Sequence, residues 1–64
     1  MSFSNRLKET RLKRDFTQEQ LAELIGVSIK TYQKYETGVT IPRIATIRKI
    51  VIALETTSDE LLEL

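Results

Sequence analysis

The run "SIKTYQK", Ser28 to Lys34, gathers several kinds of non-covalent chemistry in two turns of chain. Lys30 and Lys34 are cations that can donate to guanine O6 and N7, and Ile29 offers the apolar contact that a thymine methyl accepts. Thr31 and Gln33 can reach a phosphate or a base. Gln18 opens an earlier helical pattern, whose free N–H groups and positive dipole end suit a phosphate. Its own amide adds a donor. None of these groups breaks or makes a covalent bond. The chain has no His and no Cys, so it lacks the commonest general base, a thiol nucleophile and any thiolate metal site. Its acids are spread over solvent-facing helical positions, and no nucleophile–base pair forms. Neither catalysis nor a cofactor is expected, nor a small-molecule ligand.

Positioning those groups falls to short helices. With 64 residues the chain is expected to be one domain, residues 1–64. Gly occurs twice and Pro once, so breakers are few and informative, and the apolar periodicity is helical throughout. The spacing predicts five helices. The first runs from Ser4, its N-cap, to Arg14, with Phe3, Leu7 and Phe16 as core contacts. The second runs from Gln18 to Ile25 behind a capping box of Thr17 and Gln20. Leu21, Ala22, Leu24 and Ile25 are its apolar positions. Gly26 ends it in left-handed geometry. Ser28 caps the third, Ile29 to Glu36, which Thr37-Gly38 stops. "VTIPR" is a loop. The fourth spans Ile44 to Leu54 with Ile44, Ile47, Ile50, Val51 and Leu54 in one stripe. Thr57 and Glu60 form a second capping box for a fifth, with Leu61 and Leu62 packing inward.

Two helices joined by a turn that begins with Gly make a helix-turn-helix unit. Ala22 is small where the helices cross, and Gly26 allows the sharp turn. Leu21, Ile25, Val27, Tyr32 and Tyr35 seal the corner. Tyr32 and Tyr35 could instead be stacking platforms for single strands, but their spacing marks them as core. With both tyrosines inward, Ile29, Lys30, Gln33 and Lys34 face outward. The second helix of such a unit lies in the DNA major groove and shows its first residues to base edges.

At this point "FTQEQLAELIGVSIKTYQKYETG" resembles the helix-turn-helix of the Cro and phage-repressor family of bacterial and phage transcription regulators. The resemblance continues through "IPRIATIRKIVIALETTSDELL", so it covers about residues 4–62. It implies a compact all-α five-helix domain, lambda-repressor-like, that binds a near-palindromic operator as a dimer, usually as a repressor. It implies that Gln18, Ile29, Lys30 and Lys34 fall at base- or phosphate-contacting positions, and Thr31, Thr37 and Arg43 at phosphate-contacting ones. Ser28 and Gln33 complete the candidate DNA-binding set. Arg11 and Glu36 match an ion pair that joins the first helix to the end of the third. Four positions depart from the pattern, one of them Ile52, which stands where relatives often carry a charged residue. Ile29 and Lys30 stand where relatives often have Gln, Ser or Asn, and Glu55 stands where they usually end the fourth helix with Gly or Asn.

Charge agrees with a polyanionic partner. Residues 1–49 carry all ten Lys and Arg against five acids, while residues 50–64 carry four acids and no base. Arg6, Lys8, Lys13 and Arg14 are expected to be solvated, adding at most a diffuse attraction. Surplus apolar residues suggest a homodimer through Ile41, Ile44, Ile52, Leu61 and Leu64, with Val39 nearby. The rival reading keeps the fold as a protein-interaction module, such as an antitoxin or adaptor, with the acidic end as its working surface. No signal peptide or membrane span is visible, so a cytoplasmic protein, associated with the nucleoid through DNA, is expected. With no effector segment evident, regulation rests on dimerisation and concentration, or the chain is the DNA-binding piece of something longer.

Overall fold

The computed structural model describes residues 2–55. They form four helices and no strand: α1 (Phe3–Lys13), α2 (Gln18–Ile25), α3 (Ile29–Thr37) and α4 (Ile44–Leu54). The expected fifth helix, with Thr57, Glu60, Leu61 and Leu62, lies outside the described residues, as does Leu64. Four of the five predicted helices therefore have counterparts, each within one residue of the expected bounds.

Local chemistry explains the starts. Thr17 and Gln20 form the reciprocal capping box of α2, with Gln20 N donating to Thr17 Oγ1 at 3.0 Å and Thr17 N to Gln20 Oε1 at 2.9 Å. Ser28 Oγ accepts from Thr31 N at 3.1 Å and caps α3. The cap of α1 is Ser2 and not Ser4. Ser2 is extended, with φ −87° and ψ 163°, and its Oγ accepts from Asn5 N. Ser4 already lies inside the first turn, where its hydroxyl meets that of Ser2.

The helix ends share a second device. Asp15, Gly26, Gly38 and Glu55 all have positive φ, between 52° and 83°. At Gly26 the chain closes with Val27 N donating to Ala22 O at 3.0 Å and Gly26 N to Glu23 O at 3.2 Å. This paired closure satisfies carbonyls that the helix leaves bare. Asp15 and Phe16 repeat it at the end of α1, onto Leu12 O and Arg11 O.

α2 packs on both α3 and α4, and α1 packs on α3. Leu7, Leu21, Ala22, Ile25, Tyr32, Tyr35, Ile50 and Leu54 form the core cluster, edged by Phe3, Phe16, Val27 and Val51. The rings of Tyr32 and Tyr35 meet edge to face, centroids 6.3 Å apart, inside it. Two expected core residues are not there. Leu24 is 59% exposed and Ile44 64% exposed. Leu24 sits about 100° round the helix from Ile25, beyond the face that α3 and α4 cover. Ile44 is the first residue of α4, and helical side chains lean toward the N-terminus, so it projects past the packed turns.

Candidate nucleic-acid interface

The centre of the site is a buried carboxylate at the end of α3. Arg11 reaches Glu36 with Nε at 2.6 Å from Oε2 and Nη2 at 3.3 Å from Oε1. Both side chains are almost wholly buried, 9% and 4% exposed. The pair ties α1 to α3, and Arg11 Nη1 also donates to Phe16 O at 2.7 Å, fixing the turn that leads into α2. Tyr32, one turn before Glu36, donates its hydroxyl to Glu36 Oε2. Gln18, the first residue of α2, donates Nε2 to Glu36 Oε1 at 3.1 Å.

Those donors decide the charge state. Burial alone pushes the Glu36 carboxyl up, but the hydrogen bonds from Arg11, Tyr32 and Gln18 outweigh it and hold it below the usual range. The bond to Glu36 raises Arg11 further, against the opposing effect of burial. Tyr32 is raised, by burial first and then by its bond to the carboxylate. At neutral pH the cluster is thus an ionised pair with a neutral phenol, and no buried side-chain polar atom among the described residues lacks a partner.

Outside this cluster α3 presents its other face. Tyr32 and Tyr35 are buried, while Ile29, Lys30, Gln33, Lys34 and Thr37 are exposed. Gln33 Nε2 donates to Gln18 Oε1 at 3.3 Å, so a polar seam joins the start of α2 to the middle of α3. A shallow groove beside it is lined by Leu12, Phe16, Gln18, Ile29 and Gln33. Thr31 is half-buried, and Ser28 Oγ donates to its Oγ1 at 3.0 Å. Thr37 Oγ1 donates to Lys34 O at 3.3 Å. Arg43, the N-cap of α4, is exposed and makes no side-chain capping bond.

Gln18, at the start of α2, and the outward residues of α3 from Ile29 to Thr37 thus supply amides, hydroxyls and cations on one side of the helix-turn-helix, with Arg43 exposed at the start of α4. Sequence reasoning treated Gln18 as a free donor; its amide is in fact held from both sides. It also did not place Tyr32 on Glu36, although the four-residue spacing allowed it. The Gln18–Glu36 bond, 18 positions apart, had no local signal. Arg14 is more than a solvated cation. It donates to Glu55 O at 3.1 Å and approaches the Glu55 carboxylate at 3.6 Å.

Ile41 and Ile52, 73% and 76% exposed, stand with Ile44 and Val39 as bare apolar side chains away from the core. Leu61 and Leu64, the remaining members of the expected dimer surface, lie outside the described residues. No helix among the described residues is long and apolar enough to cross a membrane.

Comparison with known proteins adds four matches. A family model described as helix-turn-helix matches residues 7–61. The cryptic phage CTXphi transcriptional repressor RstR of Vibrio cholerae serotype O1 is 41% identical over 61 residues, 95% of this chain and 54% of that protein. The transcriptional activator BcrR of Enterococcus faecalis is 37% identical over 62 residues, 97% of this chain and 30% of that protein. The chain spans about half, or less, of the length of the curated relatives it matches. Among solved structures, the P22 c2 repressor in complex with a synthetic operator superposes with a TM-score of 0.92 at 25% identity, over 98% of this chain and 96% of that one.

Proposed function

The chain belongs to the Cro and phage-repressor type of helix-turn-helix family, and on that premise we propose that it binds double-stranded DNA sequence-specifically and regulates transcription, as a repressor. The observation that carries this reading is the near-complete superposition on a repressor solved on operator DNA. It is joined by the outward face of α3. In this reading α3 enters the major groove, Ile29, Lys30, Gln33 and Lys34 meet base edges, and Gln18, Ser28, Thr31, Thr37 and Arg43 hold phosphates. Occupation of the operator then blocks polymerase, in the cytoplasm where the DNA lies. Repression is favoured over activation by the higher identity to RstR than to BcrR.

A two-fold operator needs two recognition helices about 34 Å apart. The exposed Ile41, Ile44 and Ile52 supply the apolar surface for a homodimer. Affinity then rests heavily on phosphate neutralisation and falls steeply with salt.

The test is selection of bound sequences from a random duplex library at low and moderate salt. Recovery of a two-fold-symmetric site, half-sites one turn apart, is the expected result. Recovery of no sequence, with binding that vanishes at moderate salt, sinks the reading, leaves only a weak basic surface and favours the protein-interaction module.

A further inference from the structure

We propose that the buried Glu36 carboxylate, acting through Gln18, fixes the polarity of the Gln33 amide, so that Gln33 prefers a base carrying a major-groove amino group, adenine N6 or cytosine N4. This inference rests on the DNA-binding reading above and assigns the base class at one position of the site.

The argument is one of donors and acceptors. An ionised carboxylate only accepts. Arg11 and Tyr32 already donate to Glu36, and Gln18 can join them only with its NH2 group, as Nε2 does at 3.1 Å. The Gln18 carbonyl must then point away from Glu36. There it accepts from Gln33 Nε2 at 3.3 Å. Flipping Gln18 sets its oxygen against the carboxylate. Flipping Gln33 alone sets its oxygen against that of Gln18. Each flip places two acceptors together with no proton between them, so the two amides are locked in series. Gln33 is left with Oε1 as its unengaged acceptor, on an exposed side chain at the outer face of α3.

An acceptor in that place discriminates. Adenine and cytosine present an amino donor in the major groove, whereas guanine and thymine present carbonyl acceptors there. A glutamine free to flip serves either class equally, whereas one held by the relay turns its oxygen outward and has one amide hydrogen already given to Gln18, so it prefers the amino-bearing class. Gln33 is therefore a specificity-determining residue, and Gln18 and Glu36 are positioning residues behind it.

The experiment compares binding-site selection for the wild-type chain, Gln33→Ala and Gln18→Met. Met has the length of Gln and no polarity, and leaves the Arg11–Glu36 pair in place. The wild type is expected to recover a half-site with one position restricted to adenine or cytosine. Replacing that base with its deamino analogue should weaken binding by roughly tenfold, a single well-made hydrogen bond's share of discrimination. Gln33→Ala should lose the restriction and ignore the analogue. Gln18→Met should retain Gln33 yet admit guanine and thymine at the same position. Loss of the Gln18 phosphate contact weakens all sequences alike, so the base preference decides: if Gln18→Met keeps the restriction, the relay is wrong. If no position of the wild-type site requires an amino-bearing base, the assignment of Gln33 is wrong. Failure of the wild type to recover any site overturns the DNA-binding reading and this inference with it. Circular dichroism of each variant confirms that folded protein is compared.

Discussion

Glu36 has more consequences than any other described residue. It holds α1 through Arg11, the core through Tyr32 and the polar seam between α2 and α3 through Gln18. Removing one partner of a buried pair leaves an uncompensated charge, at a cost of about 3–5 kcal/mol. A domain of this size has little more than that to lose. Glu36→Ala is therefore expected to unfold the chain or bring its urea midpoint close to zero, measured by circular dichroism. The same residue sets an acid limit. Because its pKa is lowered on folding, its contribution is present above the unfolded value of 4.5 and is lost as pH falls through the folded one. Urea midpoints should hold between pH 5 and 7 on this account and decline from about pH 4.5 downward. Lys34 belongs to the same scale but to the other face. Lys34→Ala should keep the fold and lose about 1–3 kcal/mol of operator binding, with relaxed preference at one base pair. Equal binding of cognate and scrambled duplexes by variant and wild type would show that Lys34 faces no base.

At the scale of the helix, four left-handed closures decide how sharply the chain can turn. Two fall on glycine and two do not. Gly26 has open space where a Cβ would be, so a substitution meets no clash and only the left-handed backbone opposes it. Gly26→Ala should then destabilise by about 1 kcal/mol, the conformational cost less the entropy removed from the unfolded chain. Glu55 at φ 52° is the reverse case. Its carbonyl is held by Arg14 Nη2, a bond to backbone that survives substitution. The Arg14–Glu55 charge pair is exposed and contributes little. Glu55→Gly is thus expected to stabilise by about 0.5–1 kcal/mol. A fall in thermal midpoint for Glu55→Gly would mean that the Glu side chain holds the end of α4 in some further way.

For the whole molecule the proposed operator reading needs two copies of the chain to pair. Ile41, Ile44 and Ile52 are among the apolar side chains that the described core leaves bare. Ile52→Glu places a charge on that surface without touching the core. It should leave the helical content unchanged, shift sedimentation equilibrium toward the monomer and reduce operator affinity at low protein concentration. An unaltered dimer would move the interface away from α4.

The amino-acid sequence by itself determined the four described helices, because caps, breakers and apolar spacing act within a few residues. It also determined which face of α3 is outward, since Tyr32 and Tyr35 can share only one side of a helix. Ser28 and Gly26 placed the turn between α2 and α3 for the same local reason. Tertiary structure decided the rest. Leu24 and Ile44 have apolar side chains at plausible helical phase, yet only the neighbouring helices determine where cover stops. The left-handed turn at Asp15 and the bond from Arg14 to Glu55 depend on how α1 meets α2 and α4. The direction of the Gln18 and Gln33 amides is set last of all. It follows from a carboxylate brought beside Gln18 from 18 residues along the chain, where the geometry of packed helices, and no pattern within one of them, selects which atom faces out.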